Sequence, residues 1–182
     1  MPATFRHRLP QLASRLAVLG AVTFVSACGA TKEPPKFCPR LGLLDNADEL
    51  TRFQGNGRDI TDITLSGSID KVPATCVQGN ESNSVASDLT IQSTFTHGAG
   101  ARSRTDQVTY VVTVLDGDTI IEQHDFPLVI TFPEHVDRAS FATAPIHLAF
   151  PAPASGKANY RVFVSFRLTP AELEYNRTHP TR

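Results

Sequence analysis

QVTYVVTVLDGD, residues 107–118, decides the fold class. Its first nine residues are β-branched or apolar on both faces of an extended chain, the pattern of a central strand. Asp116-Gly117-Asp118 then signals a hairpin, because an Asp-Gly pair tolerates the positive φ angles of tight turns. Residues 119–126 are expected to return beside the first strand. Pro127 should break that ladder, with residues 128–132 following as a strand or its continuation.

The same period of two extends outward in both directions. Ile63, Leu65, Gly67 and Ile69 share one strand face, opposite Thr64, Ser66 and Ser68. Pro73 interrupts, and residues 75–77 resume the strand or begin another. Val85, Ser87, Leu89, Ile91, Ser93 and Phe95 alternate with polar neighbours as one long, half-buried antiparallel strand would. Residues 139–150 contain Pro145 and read as a weaker strand, bent or at an edge. Tyr160, Val162, Val164, Phe166 and Leu168 face inward against Arg161, Ser165 and Arg167, while Phe163 on the polar side needs cover from another element. Thr169-Pro170-Ala171-Glu172 combines an N-cap, a first-turn proline and a capping-box acid, and starts a helix through about Asn176. The chain is therefore predicted to be all-β: an immunoglobulin-like antiparallel β-sandwich of about seven strands over residues 59–168, with a short helix and tail in 169–182. A small barrel is the alternative.

Residues 37–58 precede this pattern. Asp45 or Asn46 is placed to cap a short helical turn, Glu49 supplies the capping-box spacing, and Gly55 and Gly57 end any helix. The segment is predicted to be an N-terminal wrap or lid fastened through Cys38.

The N-terminus carries an address. Arg6, Arg8 and Arg15 precede an apolar run of about ten residues (16–25), shorter than the stretch needed to cross a bilayer core about 30 Å thick. Val25-Ser26-Ala27-Cys28 then resembles a bacterial lipobox. The lipoprotein resemblance implies cleavage of residues 1–27, acylation of Cys28 and, because Gly29 rather than Asp follows, anchorage at the periplasmic face of the outer membrane of a diderm bacterium. Residues 28–36 would form a lipidated cysteine and a doubly prolyl tether, reaching roughly 25 Å when extended. In that oxidising compartment Cys38 and Cys76 are expected to form a disulfide, no CxxC spacing favouring a redox role.

Without residues 1–27 the chain has 155 residues, room for one domain with a real core. It then holds 14 basic and 18 acidic side chains, a balance that argues against nucleic acid as partner. The full sequence lacks Trp, which weakens an aromatic carbohydrate platform, and its one Met is the initiator, which weakens a thioether copper carrier.

Three stretches, Cys38-Pro39 leading to LLDNADELTRF, GRDITDI (57–63) with Cys76 beyond it, and LTPAELEYNR (168–177), together resemble a family of uncharacterised alphaproteobacterial lipoproteins. The resemblance implies lipidation, paired cysteines and an all-β domain, and transfers no catalytic residue.

Chemistry-bearing motifs are sparse. His97, His124, His135, His147 and His179 form no HxH or HxxxH pair, so neither a metal nor another cofactor is expected. There is no GxSxG elbow and no HExxH helix, and no catalytic residue is assigned. Arg58 and Asp59, after a Gly-Asn-Gly loop, read either as an ion pair docking the wrap or as solvated charges. Glu172, Tyr175 and Arg177 lie on a polar helix that either caps the sandwich or docks another protein. These five residues are the candidate partner-docking set. The expected function is non-enzymatic: binding or supporting another envelope protein, with the membrane engaged through lipid. The alternative is a small-molecule or glycan module using loops 97–106 and 151–156.

Overall fold

The computed structural model describes residues 34–153 and 157–180. The expected signal sequence, Cys28, most of the expected tether, part of loop 151–156 and the last two residues lie outside the described residues. In chain order the wrap contributes β1 (Arg40–Leu43) and β2 (Glu49–Phe53). Pro73 separates β3 (Ile63–Lys71) from β4 (Val77–Gln78), and Thr90-Ile91 separates β5 (Val85–Leu89) from β6 (Gln92–His97). The hairpin is β7 (Thr105–Asp116) and β8 (Thr119–Thr131). Pro145 lies between β9 (Arg138–Ala142) and β10 (Ile146–Phe150), and β11 (Tyr160–Phe166) leads to helix α1 (Pro170–Thr178).

These strands build an all-β sandwich. One sheet has the order β1-β11-β7-β8; the other layer comprises β2-β3-β6-β9 and β10-β5-β4. Every pairing is antiparallel except β1 with β11. The alternation read from the sequence is the burial pattern: Leu65, Ile69, Phe95, Val108, Val112, Ile130, Val162 and Val164 belong to one core. Rings cross between the layers, Phe95 against Phe166 at 5.8 Å and Phe150 against Tyr160 at 5.4 Å. Burial of such side chains contributes about 1.5–3 kcal/mol each.

Among the described residues eleven strands replace the expected seven or so, for local reasons. Residues 85–96 keep their alternation but split into β5 and β6, because the neighbouring strands break at the same level around Pro73 and Pro145. There Thr90 donates its N–H to the Pro73 carbonyl at 3.0 Å, and Ile91 donates to the Thr143 hydroxyl at 3.1 Å while its carbonyl accepts from Thr143 N–H at 3.0 Å. The hairpin turns at Gly117-Asp118, within the expected Asp116-Gly117-Asp118, and the positive φ, 61°, is carried by Gly117. Pro127 does not break the ladder. It pairs with Thr109 inside an unbroken β8, because β8 is an edge strand and a proline can face its missing donor outward. Phe163 finds its cover in β1, where Gly42 lies opposite it, and in the Arg161 guanidinium 5.9 Å from the ring centre.

The wrap forms strands rather than a capped helical turn. Asn46 takes a left-handed φ of 62° in a turn that carries the chain from one sheet to the other. Phe166 of β11 donates to the Ala47 carbonyl at 2.7 Å, and Ile69 of β3 donates to the Asp48 carbonyl at 2.9 Å. The strap thus closes one lateral seam of the sandwich. It is fastened by the Cys38–Cys76 disulfide, Cα atoms 6.0 Å apart, and by buried Asn176 of α1, whose amide donates to the carbonyls of Asn46 and Glu49 at 2.8 Å each.

Tyr110 is the core's one phenol lying flat on a ring, stacked on Phe166 at 5.3 Å. Its hydroxyl is buried, and Ser93 faces it without reaching hydrogen-bonding geometry. Burial pushes this phenol up to about 12, the Ser93 hydroxyl opposing and the Asp70 charge adding to the effect. The folded state therefore favours the protonated form, so stability is intact below pH 10 and falls between pH 10 and about 12 as the unfolded phenol ionises first. Tyr110→Phe is expected to stabilise by about 1 kcal/mol, since it removes an unpartnered buried hydroxyl. Urea melts at pH 8 and pH 11 check both points, because the variant should also lose roughly 1.4 kcal/mol less than the parent across that interval.

Candidate partner-binding site

Two surfaces gather the chain's remaining functional groups. The first is the corner where the end of β2, the loop after it and α1 meet. Arg52 shares the inward parity of Leu50 but stands at the open end of the sandwich, where an unpaired charge would be costly. It is paired twice: Nε donates to Glu172 at 3.1 Å, and Nη1 donates to Asp106 and to the Gln107 carbonyl at 2.8 Å each. Glu172 also accepts from the Thr169 N–H at 2.6 Å, completing the predicted capping box.

Beside this network runs a file of rings and cations. Arg58 lies 5.3 Å from the centre of Phe53, Phe53 meets Tyr175 edge-on at 4.9 Å, and Tyr175 stacks on His179 at 4.3 Å. The structure thus brings Arg58, Glu172 and Tyr175 to one shallow pocket of about 280 Å³, with Thr51, Arg52 and Phe53. Asp59 and Arg177 do not join them. Asp59 caps a single 3-10 turn over Ile60–Asp62, accepting from Ile60 N–H at 2.7 Å, and Arg177 lies 4.0 Å from Glu174 on its own helix. Of the two readings of Arg58 and Asp59, no ion pair forms between them: Asp59 is spent on the turn, and Arg52 ties the wrap to the body. Arg52 was missed because its partners lie 54 and 120 residues away, though a charge on the inward face of a strand was a visible signal.

The second surface is the lateral seam opposite the strap. β8 forms its upper margin, thirteen residues long and exposed over most of its length. Phe132 donates its N–H to the Arg104 carbonyl at 2.9 Å, and Arg167 donates to the Thr109 carbonyl at 2.8 Å. These two bonds fix the parity of the edge. Even-numbered residues from His124 to Ile130 bond to β7, while Gln123, Asp125, Val129 and Thr131 point their N–H and C=O groups away from it.

Across from β8 stand β9 and β10, the edge strands of the other layer. Between the two margins lies a cleft of about 490 Å³ lined by Phe126, Leu128, Ala142, Pro145, Ile146 and Leu148. Two histidine–carboxylate pairs mark its rim: His124 Nε2 with Glu122 at 2.6 Å, and His147 Nδ1 with Asp88 at 2.7 Å. Exposed apolar side chains continue along β8, with Ile120, Ile121 and Val129 at 60, 50 and 61% exposure.

No family model, curated protein or solved structure matches this chain. Among the described residues no group of three or more His, Cys, Asp and Glu side chains could hold a metal ion, and no helix is long and apolar enough to cross a membrane.

Proposed function

We propose that this chain is a lipid-anchored, non-enzymatic accessory protein of the bacterial envelope, sited at the periplasmic face of the outer membrane, whose sandwich holds another envelope protein. The observation that carries the reading is the asymmetry of the two lateral seams. One is sealed by the strap, the disulfide and Asn176; the other leaves a long edge strand and an apolar cleft open. Monomeric soluble domains usually cover such edges; this one is interrupted by Pro127 and a bulge at Ile121 but left uncovered, and with exposed isoleucines beside it fits an interaction surface. The Val25-Ser26-Ala27-Cys28 sequence and the likeness to alphaproteobacterial lipoproteins support the anchorage.

Acyl chains on Cys28, each contributing roughly 0.8 kcal/mol per buried CH₂, would make release from the membrane negligible. Cys28→Ala is therefore expected to move the protein from the membrane pellet to the soluble periplasmic fraction, as read by immunoblot after fractionation. Persistence of the variant in the pellet would sink the anchorage.

A further inference from the structure

We propose that the open seam is a strand-acceptor site: an extended segment of a partner protein pairs with the outer edge of β8 and drops alternate side chains into the cleft. The assignment rests on the partner-binding reading above and names the chemistry of the partner.

Three features select an extended backbone over other occupants. The outward N–H and C=O groups of Gln123 and Asp125 on one side of Pro127, and of Val129 and Thr131 on the other, recur every second residue, a spacing that another strand matches along its length. A strand placed there continues the β1-β11-β7-β8 sheet, so its inward side chains lie on the same side as Phe126 and Leu128 and face Ile146 and Leu148 across the cleft. Its other side chains lie on the outer face beside Val129. The partner segment is thus apolar at alternate positions.

Charge narrows it further. Beside the cleft Glu122 pairs with His124, Asp88 with His147 and Asp125 with Arg167, while Arg104 and Arg138 lie at the far end of the seam, where Arg104 pairs with Asp137. Carboxylates outnumber guanidiniums beside the cleft, which favours a segment with basic residues near its ends.

The same strand argues against a second copy as occupant. Two β8 edges related by a two-fold axis at Asp125 would set like charges directly opposite, and an axis at Val129 would bring each Pro127 against a Thr131 that needs a donor. Pro127 and the bulge at Ile121, where Val114 pairs with Glu122 and Leu115 with Ile120, thus blunt self-association. They leave Val129 and Thr131 on one side of the proline, and Gln123 and Asp125 on the other, free to donate.

Amide hydrogen exchange on the full-length protein in detergent tests this with a defined probe: a ten-residue synthetic peptide of alternating valine and threonine with lysine at each end. At saturating peptide, exchange at Gln123, Asp125, Val129 and Thr131 is expected to slow at least about tenfold, with Phe126, Leu128 and Ile130 unchanged because β7 already holds them. A peptide with the same side chains but N-methyl groups on alternate residues should give no protection, a control that needs no change in the protein. Val129→Pro should abolish binding of the first peptide and Val129→Thr should retain it. Unprotected odd-numbered amides, equal binding of the methylated peptide, or loss of binding in Val129→Thr alone would overturn strand addition. If an envelope partner is captured while the β8 amides of that complex stay unprotected, strand addition fails and the accessory role stands; absence of both partner and protection removes both.

Discussion

Removal of the Cys38–Cys76 disulfide is expected to destabilise the domain by roughly 4 kcal/mol, the chain-entropy contribution of a loop of this length. The cysteines are 38 residues apart in sequence, and the cross-link does more than limit the unfolded chain. It pins the start of the strap, placing Phe37 against Tyr160 at 5.6 Å, and Tyr160 against Phe150 across the core. In a domain of this size that loss corresponds to a melting temperature lower by about 8–16 °C. Thermal melts of the protein with and without reductant, and of the Cys38→Ala, Cys76→Ala double variant, measure it. The double variant should melt low and ignore reductant. A reduced protein that melts within about 2 °C of the oxidised one would show the strap to be held without its cross-link.

Crowding at Gly67 is the second large effect. A Cβ at this position would lie 2.2 Å from Cδ1 and 2.5 Å from Cε1 of Phe95, which is fully buried. The ring cannot retreat, because Phe141 and Phe166 meet it edge-on at 5.9 and 5.8 Å. Gly67→Ala is therefore expected to cost about 2–3 kcal/mol through overpacking. Phe95→Ala should cost about 3–5 kcal/mol through the cavity it leaves. The two changes relieve each other, so the double variant should fall short of their sum by at least about 1 kcal/mol in denaturant titrations. Additivity would mean that Phe95 is not what reserves the space at Gly67.

Much of the fold was legible because it depends on local alternation. The inward faces of β3, β7 and β11, the two-faced apolar stretch at residues 107–115 and the Thr169–Glu172 capping box each need only neighbours in sequence. What failed was decided across strands. Pro127 reads as a breaker until β8 is known to be an edge, and the break at Thr90-Ile91 follows from prolines in two neighbouring strands. In the wrap, Asp45 and Asn46 carry a valid helix-cap pattern, but a left-handed turn there lets Leu50 reach the core and gives β3 its edge partner.

The candidate sites divide in the same way. Glu172 was readable as a capping acid but not as a partner of Arg52, and Asp59 was readable as a charge but not as the cap of a 3-10 turn. The cleft between β8 and β10 was invisible, since its walls come from residues about 20 positions apart whose meeting depends on which strands end up at the edges.

Site-specific photo-crosslinking in the native envelope tests the partner role most directly, with a photoreactive side chain installed at Val129 on the open seam or at Leu41 on the sealed one. Both positions are exposed, at 61 and 37%, so reagent access does not separate them. A discrete adduct at Val129 that is absent at Leu41, and lost when Cys28→Ala frees the protein from the membrane, is the expected result. Adducts at Leu41 alone, or none at either position, would contradict a partner held at the open seam.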